Sequence, residues 1–137
     1  MTLRLLPDRL EWVYAQGSAS VPWTDVEAIG VTREARATLV GLRLSSYDDY
    51  LAGMTPELRE WLDRVNRAGS RFGPAVTALG DPALGRAVSG VEGMSDAMAL
   101  CRARYGYDLM VGWHERDRSA EELAALMETY RVAAEPR

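Results

Sequence analysis

His114 is the one histidine of the chain, and it is the first residue to test for catalysis because imidazole is the usual general base of a nucleophilic hydrolase. Three carboxylates lie near it in sequence: Asp108, Glu115 and Asp117. A small hydrolase built on this set is one hypothesis. Its nucleophile would have to be Cys101 or the pair Ser45-Ser46, and neither lies in a Gly-x-Ser-x-Gly nucleophile elbow. We therefore expect no catalytic residues.

His114-Glu115 also begins like the helical zinc motif of metalloproteases, which needs a second histidine one helical turn after the first. Arg118 occupies that position. A zinc site would have to combine the one histidine, Cys101 and carboxylates, which is not a usual ligand set for structural zinc. We expect no bound metal and no cofactor.

Three further patterns favour structural roles over chemistry. Asp48-Asp49 are adjacent acids whose side chains would diverge on a short helix, and Asp49 is expected to help cap that helix. The glycines between Gly69 and Gly93 do not spell Gly-x-Gly-x-x-Gly, so no dinucleotide site is expected. All sixteen basic residues are arginine, which excludes a Walker A phosphate loop and a Schiff-base lysine.

Charge and composition limit the partners. A net charge of −4 gives no general attraction to nucleic acid or anionic membranes, and the early turns hold only Arg9 for a phosphoinositide. The stretch from Met1 to Trp12 lacks the apolar core of a signal peptide, and no later stretch could span a membrane. Cys101 in an apolar pattern predicts a buried, inert thiol. With a composition typical of GC-rich bacteria, these features predict a bacterial cytoplasmic protein.

The elements that must position these residues begin with strands. Apolar residues recur with a period of two from Leu3 to Ser45, which is typical of half-buried antiparallel strands. The predicted faces are Leu10, Trp12 and Tyr14; Ile29 and Val31; and Val40, Leu42 and Leu44. Pro7-Asp8-Arg9 and Gln16-Gly17-Ser18 carry turn chemistry, and Thr24 with Glu27 predicts a capping box around one helical turn.

Helical patterns follow. Ser46 is expected to cap a short helix, and Thr55-Pro56 to begin a longer one with one apolar face: Leu58, Trp61, Leu62 and Val65. Its outer face should be a solvated surface with two ion pairs: Glu60–Arg64 and Asp63–Arg67. The segment Ala68 to Gly80 holds three glycines and a proline and is predicted to be a mobile loop.

The last third of the chain predicts two more helices, a strand and a closing helix. Asp81-Pro82 should begin a short helix, and Ser95 a firmer one that Gly106 ends. Leu109, Val111 and Trp113 form one face of a strand. Ser119 and Glu122 predict a capping box for a helix with this apolar stripe: Leu123, Leu126, Met127 and Tyr130.

Antiparallel strands followed by one C-terminal amphipathic helix resemble the pleckstrin-homology-like (PH-like) fold. Four segments are similar to landmarks of a bacterial family of PH-like proteins of uncharacterised function: Val21-Pro22-Trp23-Thr24-Asp25-Val26, Leu42 to Leu51 ending in Tyr50-Leu51, Tyr105-Gly106-Tyr107-Asp108-Leu109, and Ser119-Ala120-Glu121-Glu122-Leu123. The resemblance implies a bent antiparallel barrel with a C-terminal helix at its open end, and it supplies no catalytic residues.

We therefore predict one α+β domain over residues 1–137, with strands over about 2–45, a helical insertion over about 47–106, and a last strand and C-terminal amphipathic helix over about 108–134. The predicted function is non-catalytic binding of a protein or peptide, because PH-like folds expose a sheet edge and a helix-flanked groove. The alternatives are the small hydrolase using His114 and an acidic immunity-type protein that masks a basic partner. The sequence leaves the binding residues, the partner and the oligomeric state open.

Overall fold

The structure, a computed structural model, describes residues 2–34, 37–111 and 118–136. Its strands are β1 (Thr2–Leu5), β2 (Arg9–Tyr14), β3 (Gly17–Pro22), β4 (Val26–Glu34), β5 (Ala37–Leu44) and β6 (Leu109–Val111). Its α-helices are α1 (Tyr47–Ala52), α2 (Pro56–Gly69), α3 (Gly73–Ala78), α4 (Pro82–Ser89), α5 (Met94–Tyr105) and α6 (Ala120–Ala133), and 3₁₀ turns cover Trp23–Asp25 and Ser70–Phe72. The predicted α+β class is confirmed.

The strands form two antiparallel three-stranded sheets with the orders β1-β2-β3 and β4-β5-β6. The first is a meander joined by the two predicted turns, and Leu10 pairs with Val21 across it. In the second sheet Leu42 pairs with both Ile29 and Leu109, so β5 is the central strand. The last strand of the second sheet, β6, is therefore separated from β5 in sequence by the helices α1 to α5.

The core lies between the two sheets and the helices packed on them. Its largest fully buried side chains come from both sheets and from α2, α5 and α6: Trp23, Leu10, Leu42, Leu44, Leu58, Met98 and Met127. Helix α6 packs against β4, β5 and the Trp23 turn, and the Trp23 and Tyr130 rings lie 5.9 Å apart between centroids. The stripe predicted for α6 therefore faces the core, with Leu123 and Met127 buried.

Of the two predicted capping boxes, the first is absent and the second is observed. The turn before β4 begins at Trp23, with Pro22 before it, and no side chain caps it. The Thr24–Glu27 box is wrong because Glu27 already belongs to β4, where it pairs with Arg43 of the neighbouring strand at 3.3 Å. At the start of α6 the Ser119 hydroxyl accepts a hydrogen bond from the Glu122 N–H, as predicted.

Helix α2 begins after Thr55 as predicted, but its polar contacts reach further than the local pattern indicated. The Thr55 hydroxyl accepts from the Ser18 N–H of β3 at 3.1 Å instead of capping its own helix. Glu60 pairs with Arg64, whereas Asp63 accepts from the Met94 N–H. The predicted Asp63–Arg67 pair is wrong because Asp63 caps the start of α5, which begins at Met94 rather than Ser95.

The predicted mobile loop from Ala68 to Gly80 is wrong, because the segment is helical over Ser70–Phe72 and in α3. Its glycines allow close helix packing instead. A Cβ at Gly73 would lie 2.6 Å from the Gly85 carbonyl oxygen of α4, and a Cβ at Gly85 would lie 2.7 Å from the Gly73 carbonyl oxygen. This α3–α4 pair contributes no residue to the buried core cluster of the described chain.

Candidate groove between the helices and the last strand

A concave surface of about 320 Å³ lies where β2 approaches β6, beneath α2 and α5. We call it the α2–α5 groove. Its lining is mostly apolar: Trp12, Tyr14, Tyr50, Leu62, Val65, Asn66, Met94, Ala97, Met98, Cys101, Asp108, Leu109 and Met110. Its size is at the small end of the ~300–1,000 Å³ range of ligand pockets.

The sheet side of the groove is built from aromatic residues. Trp12 and Tyr14 alternate along β2 and so lie on one face of the sheet. Trp12 meets Tyr50 of α1 edge to face at 6.2 Å, and Tyr14 contacts Trp61 of α2 at 6.4 Å. These pairs fix the rings by packing, so this wall is preformed.

The helical side depends on the contact between α2 and α5. Met94, Ala97, Met98 and Cys101 recur at helical spacing and present one face of α5 to the groove. The Asp63 carboxylate of α2 accepts from the Met94 N–H at 2.8 Å, and the Asn66 amide donates to the Leu62 carbonyl at 2.8 Å and contacts the Met94 sulfur at 3.5 Å. One end of the groove is therefore held by polar contacts, while flexible methionines line its interior.

The strand side of the groove is an edge. Asp108, Leu109 and Met110 are consecutive, and all three line the groove. Because successive side chains of a strand point to opposite faces, a surface that touches consecutive residues reaches the edge of β6 rather than one face of it. Strand β6 is the last strand of its sheet, and within the described ranges its ladder partner is β5 alone.

One lining residue of the groove, Asp108, belongs to a polar cluster. The Asp108 side chain is 1% exposed. One carboxylate oxygen accepts from the Leu44 N–H at 2.7 Å and the other from the Tyr47 hydroxyl at 2.6 Å, while the Arg102 guanidinium lies 3.7 Å away. We call these residues the Asp108 cluster. It links the end of β5, the start of α1 and the last turn of α5 to β6.

The residues before Asp108 explain why it points inward. Gly106 ends α5 in the left-handed conformation, with φ of 81°, as predicted. The Tyr107 ring then lies against the paired glycines Gly30 and Gly41, where a Cβ at either position would overlap it. With Tyr107 held on that outer face, the next side chain of this extended segment is directed into the protein.

Burial and the neighbouring carboxylate shape two other groups. Burial raises the pKa of the Tyr47 hydroxyl, and its hydrogen bond to Asp108 raises it further. Burial also raises the pKa of the Cys101 thiol, with a smaller contribution from the negative charge of Asp108. Since the thiolate is the nucleophilic form, this raised pKa disfavours reaction at Cys101, although the residue is half-buried rather than fully buried as predicted.

Tyr47→Phe should lower the free energy of unfolding by about 1.5–3 kcal/mol at pH 7, because it removes a hydrogen bond to a charged group. The folded pKa of Tyr47 is raised above its ordinary value of 10.0, so the stability it contributes is present below pH 10 and is lost as pH rises through the folded pKa. The difference in unfolding free energy between the wild type and Tyr47→Phe should therefore become smaller above pH 10. Urea unfolding at a series of pH values measures it, and a constant difference would contradict the assigned contact.

The catalytic hypothesis gains no assembled site among the described residues. His114, Glu115 and Asp117 lie outside them, as does Trp113 of the predicted last strand. Asp108 already accepts two hydrogen bonds, and Asp48 and Asp49 are both exposed in the first turn of α1. Within residues 2–34, 37–111 and 118–136, no group of three His, Cys, Asp or Glu side chains could hold a metal ion.

Comparison with protein-family models, with curated proteins and with solved structures gave no match to this chain. No relative therefore assigns a role to any residue of the groove or of the Asp108 cluster. Across the described part of the chain, the helices are all too short or too polar to cross a membrane.

Proposed function

We propose that this chain is a non-catalytic, PH-like module of a bacterial cytoplasm, and that it binds a peptide segment of another protein in the α2–α5 groove. The observation that carries the proposal is the meeting of an apolar concavity with the edge of β6. Recognition of peptides commonly uses such a combination of side-chain pockets and an exposed strand. Met94, Met98 and Met110 add polarizable, unbranched side chains that adapt to an incoming partner.

The polar groups of the groove support binding over catalysis. Both carboxylate oxygens of Asp108 already accept hydrogen bonds within the fold, and its side chain is 1% exposed, which disfavours contact with a substrate. The Cys101 thiol has a raised pKa, which disfavours its nucleophilic form. A hydrolase using His114 with Asp108 would have to share this carboxylate with its two structural donors.

Val65→Asp should weaken peptide binding at least tenfold without unfolding the protein. Val65 lines the groove and is 47% exposed, so an aspartate there stays hydrated until a bound peptide covers it. Burying an unpaired charge then opposes binding by more than the ~1.4 kcal/mol that equals one factor of ten. The ligands to titrate are peptides enriched from a random display library on the purified wild-type chain, measured by fluorescence polarisation.

Val132→Asp is the matched control. Val132 is an exposed helical valine on α6, 52% accessible, and it does not line the groove. Its affinity for the same peptides should stay within about twofold of wild type, since surface substitutions away from a site rarely matter. Failure to enrich any peptide, or peptides that bind Val65→Asp as tightly as wild type, would reject the proposed function.

A further inference from the structure

We infer that the occupant of the α2–α5 groove is an extended segment of a partner protein that adds as a strand along β6, with apolar residues at alternate positions and neutral or positive charge between them. This inference rests on the proposed function and specifies its ligand.

The edge of β6 favours a ligand in extended conformation. An edge strand presents N–H and C=O groups that a further strand can pair with. The groove meets this edge at Leu109 and Met110, so a chain lying in it would run beside the main-chain groups of β6 that face away from β5. A helix in the same place has its own backbone bonds satisfied internally and would leave that edge unpaired.

The apolar sheet side and helical side of the groove favour a ligand with apolar residues at alternate positions. A strand beside β6 would direct every second side chain toward Trp12, Met98 and their neighbours, and the others away from the apolar lining. Apolar residues at alternate positions satisfy that geometry, and methionines accommodate differences in their size. Period two is therefore the expected sequence pattern of the ligand.

The charges of the groove lining and of the whole chain disfavour an acidic ligand. Of the described residues that line the groove, Asp108 is the one carboxylate, and none is an arginine. The chain as a whole carries −4. Among the described lining residues an acidic segment would find no basic side chain, and the net negative charge of the chain disfavours its approach. Arginine or lysine at the outward positions would be attracted by that net charge.

Two display libraries of equal length and composition test the inference on the full chain. One places apolar residues at alternate positions, and the other places them at the i, i+3, i+4 and i+7 positions of a helix. We expect the alternating library to give the binders that Val65→Asp abolishes, with acidic residues depleted between the apolar positions. Amide exchange of Leu109 to Val111 should slow by at least tenfold when the best peptide is bound.

Backbone methylation of that peptide gives the sharper readout. Single N-methyl groups should weaken binding at least tenfold at alternate amides and less than threefold at the amides between them, because only one edge of the peptide pairs with β6. Binders sensitive to Val65→Asp that come only from the helical library, or a methylation profile without period two, would overturn strand addition and leave the proposed function standing. Binders from neither library would overturn both.

Discussion

Asp108→Ala should lower the free energy of unfolding by about 3–5 kcal/mol, because the buried carboxylate accepts two hydrogen bonds and each hydrogen bond to a charged group contributes about 1.5–3 kcal/mol. The substitution leaves the Leu44 N–H and the Tyr47 hydroxyl without their acceptor and removes the carboxylate facing Arg102. Because these groups come from separate elements, the loss falls on the packing of β5, α1 and α5 together. Urea unfolding followed by tryptophan fluorescence measures it.

Two further variants serve as controls for Asp108→Ala. Asp108→Asn retains an oxygen for the Leu44 N–H and an amide that can donate to the Tyr47 oxygen, so it should cost less than the alanine variant. Asp48→Ala removes an exposed acid from the first turn of α1 and should cost less than about 1 kcal/mol. A loss below about 1 kcal/mol for Asp108→Ala would show that the Asp108 cluster does not hold these elements together.

Trp23→Ala should cost about 3–5 kcal/mol, which is typical of deleting a buried aromatic side chain. Trp23 is 1% exposed, its ring packs on Tyr130 of α6, and its indole N–H donates to the Leu6 carbonyl at 2.7 Å. The alanine variant leaves a cavity between the sheet and α6 and removes the donor to that carbonyl. Thermal and urea unfolding followed by circular dichroism avoid the loss of a fluorophore.

Trp23→Phe separates the two contributions. It keeps an aromatic ring against Tyr130 and removes the N–H donor, so its loss should be clearly smaller than that of the alanine variant. If Trp23→Ala cost less than about 1 kcal/mol, the buried position of the ring would be contradicted.

The sequence predicted the elements whose signals are local. Alternating residues such as Leu10, Trp12 and Tyr14 indicated β2, and the side chains of Ser46 and Asp81 cap their helices as expected. Gly106 likewise ends α5 because its left-handed conformation suits glycine. In each case the deciding interaction spans a few residues, so the pattern alone carries it.

The wrong predictions concern residues whose partners are distant. Asp63 was assigned to a neighbour on its own helix, and it caps α5 from 31 residues away. The glycines around Gly73 suggested a loop, because glycine is common in loops. The role of Gly73 in the close contact with Gly85 depends on how α3 and α4 pack, which the local sequence does not show. Local sequence patterns do not indicate such contacts between residues that are distant in sequence.

The candidate site shows the same division. The sequence named Asp108, but as a partner of His114, because its acceptor role toward Tyr47 and the Leu44 N–H spans 61 and 64 residues. Arg102 in the last turn of α5 is equally well explained by the helix dipole. A helix-flanked groove was expected from the resemblance, but the residues that line the α2–α5 groove could not be predicted, since they come from five separate elements and the segment before β6.

The α3–α4 pair gives the protein two levels of stability. Its helices meet through glycine and are absent from the buried cluster, while Phe72 and Leu79, which flank α3, are 67% and 89% exposed. Segments that bury little apolar area open at a lower free energy than the core. Proteases cut such partly opened forms, so limited proteolysis should cleave the chain within Ser70 to Gly90 before the two sheets unfold.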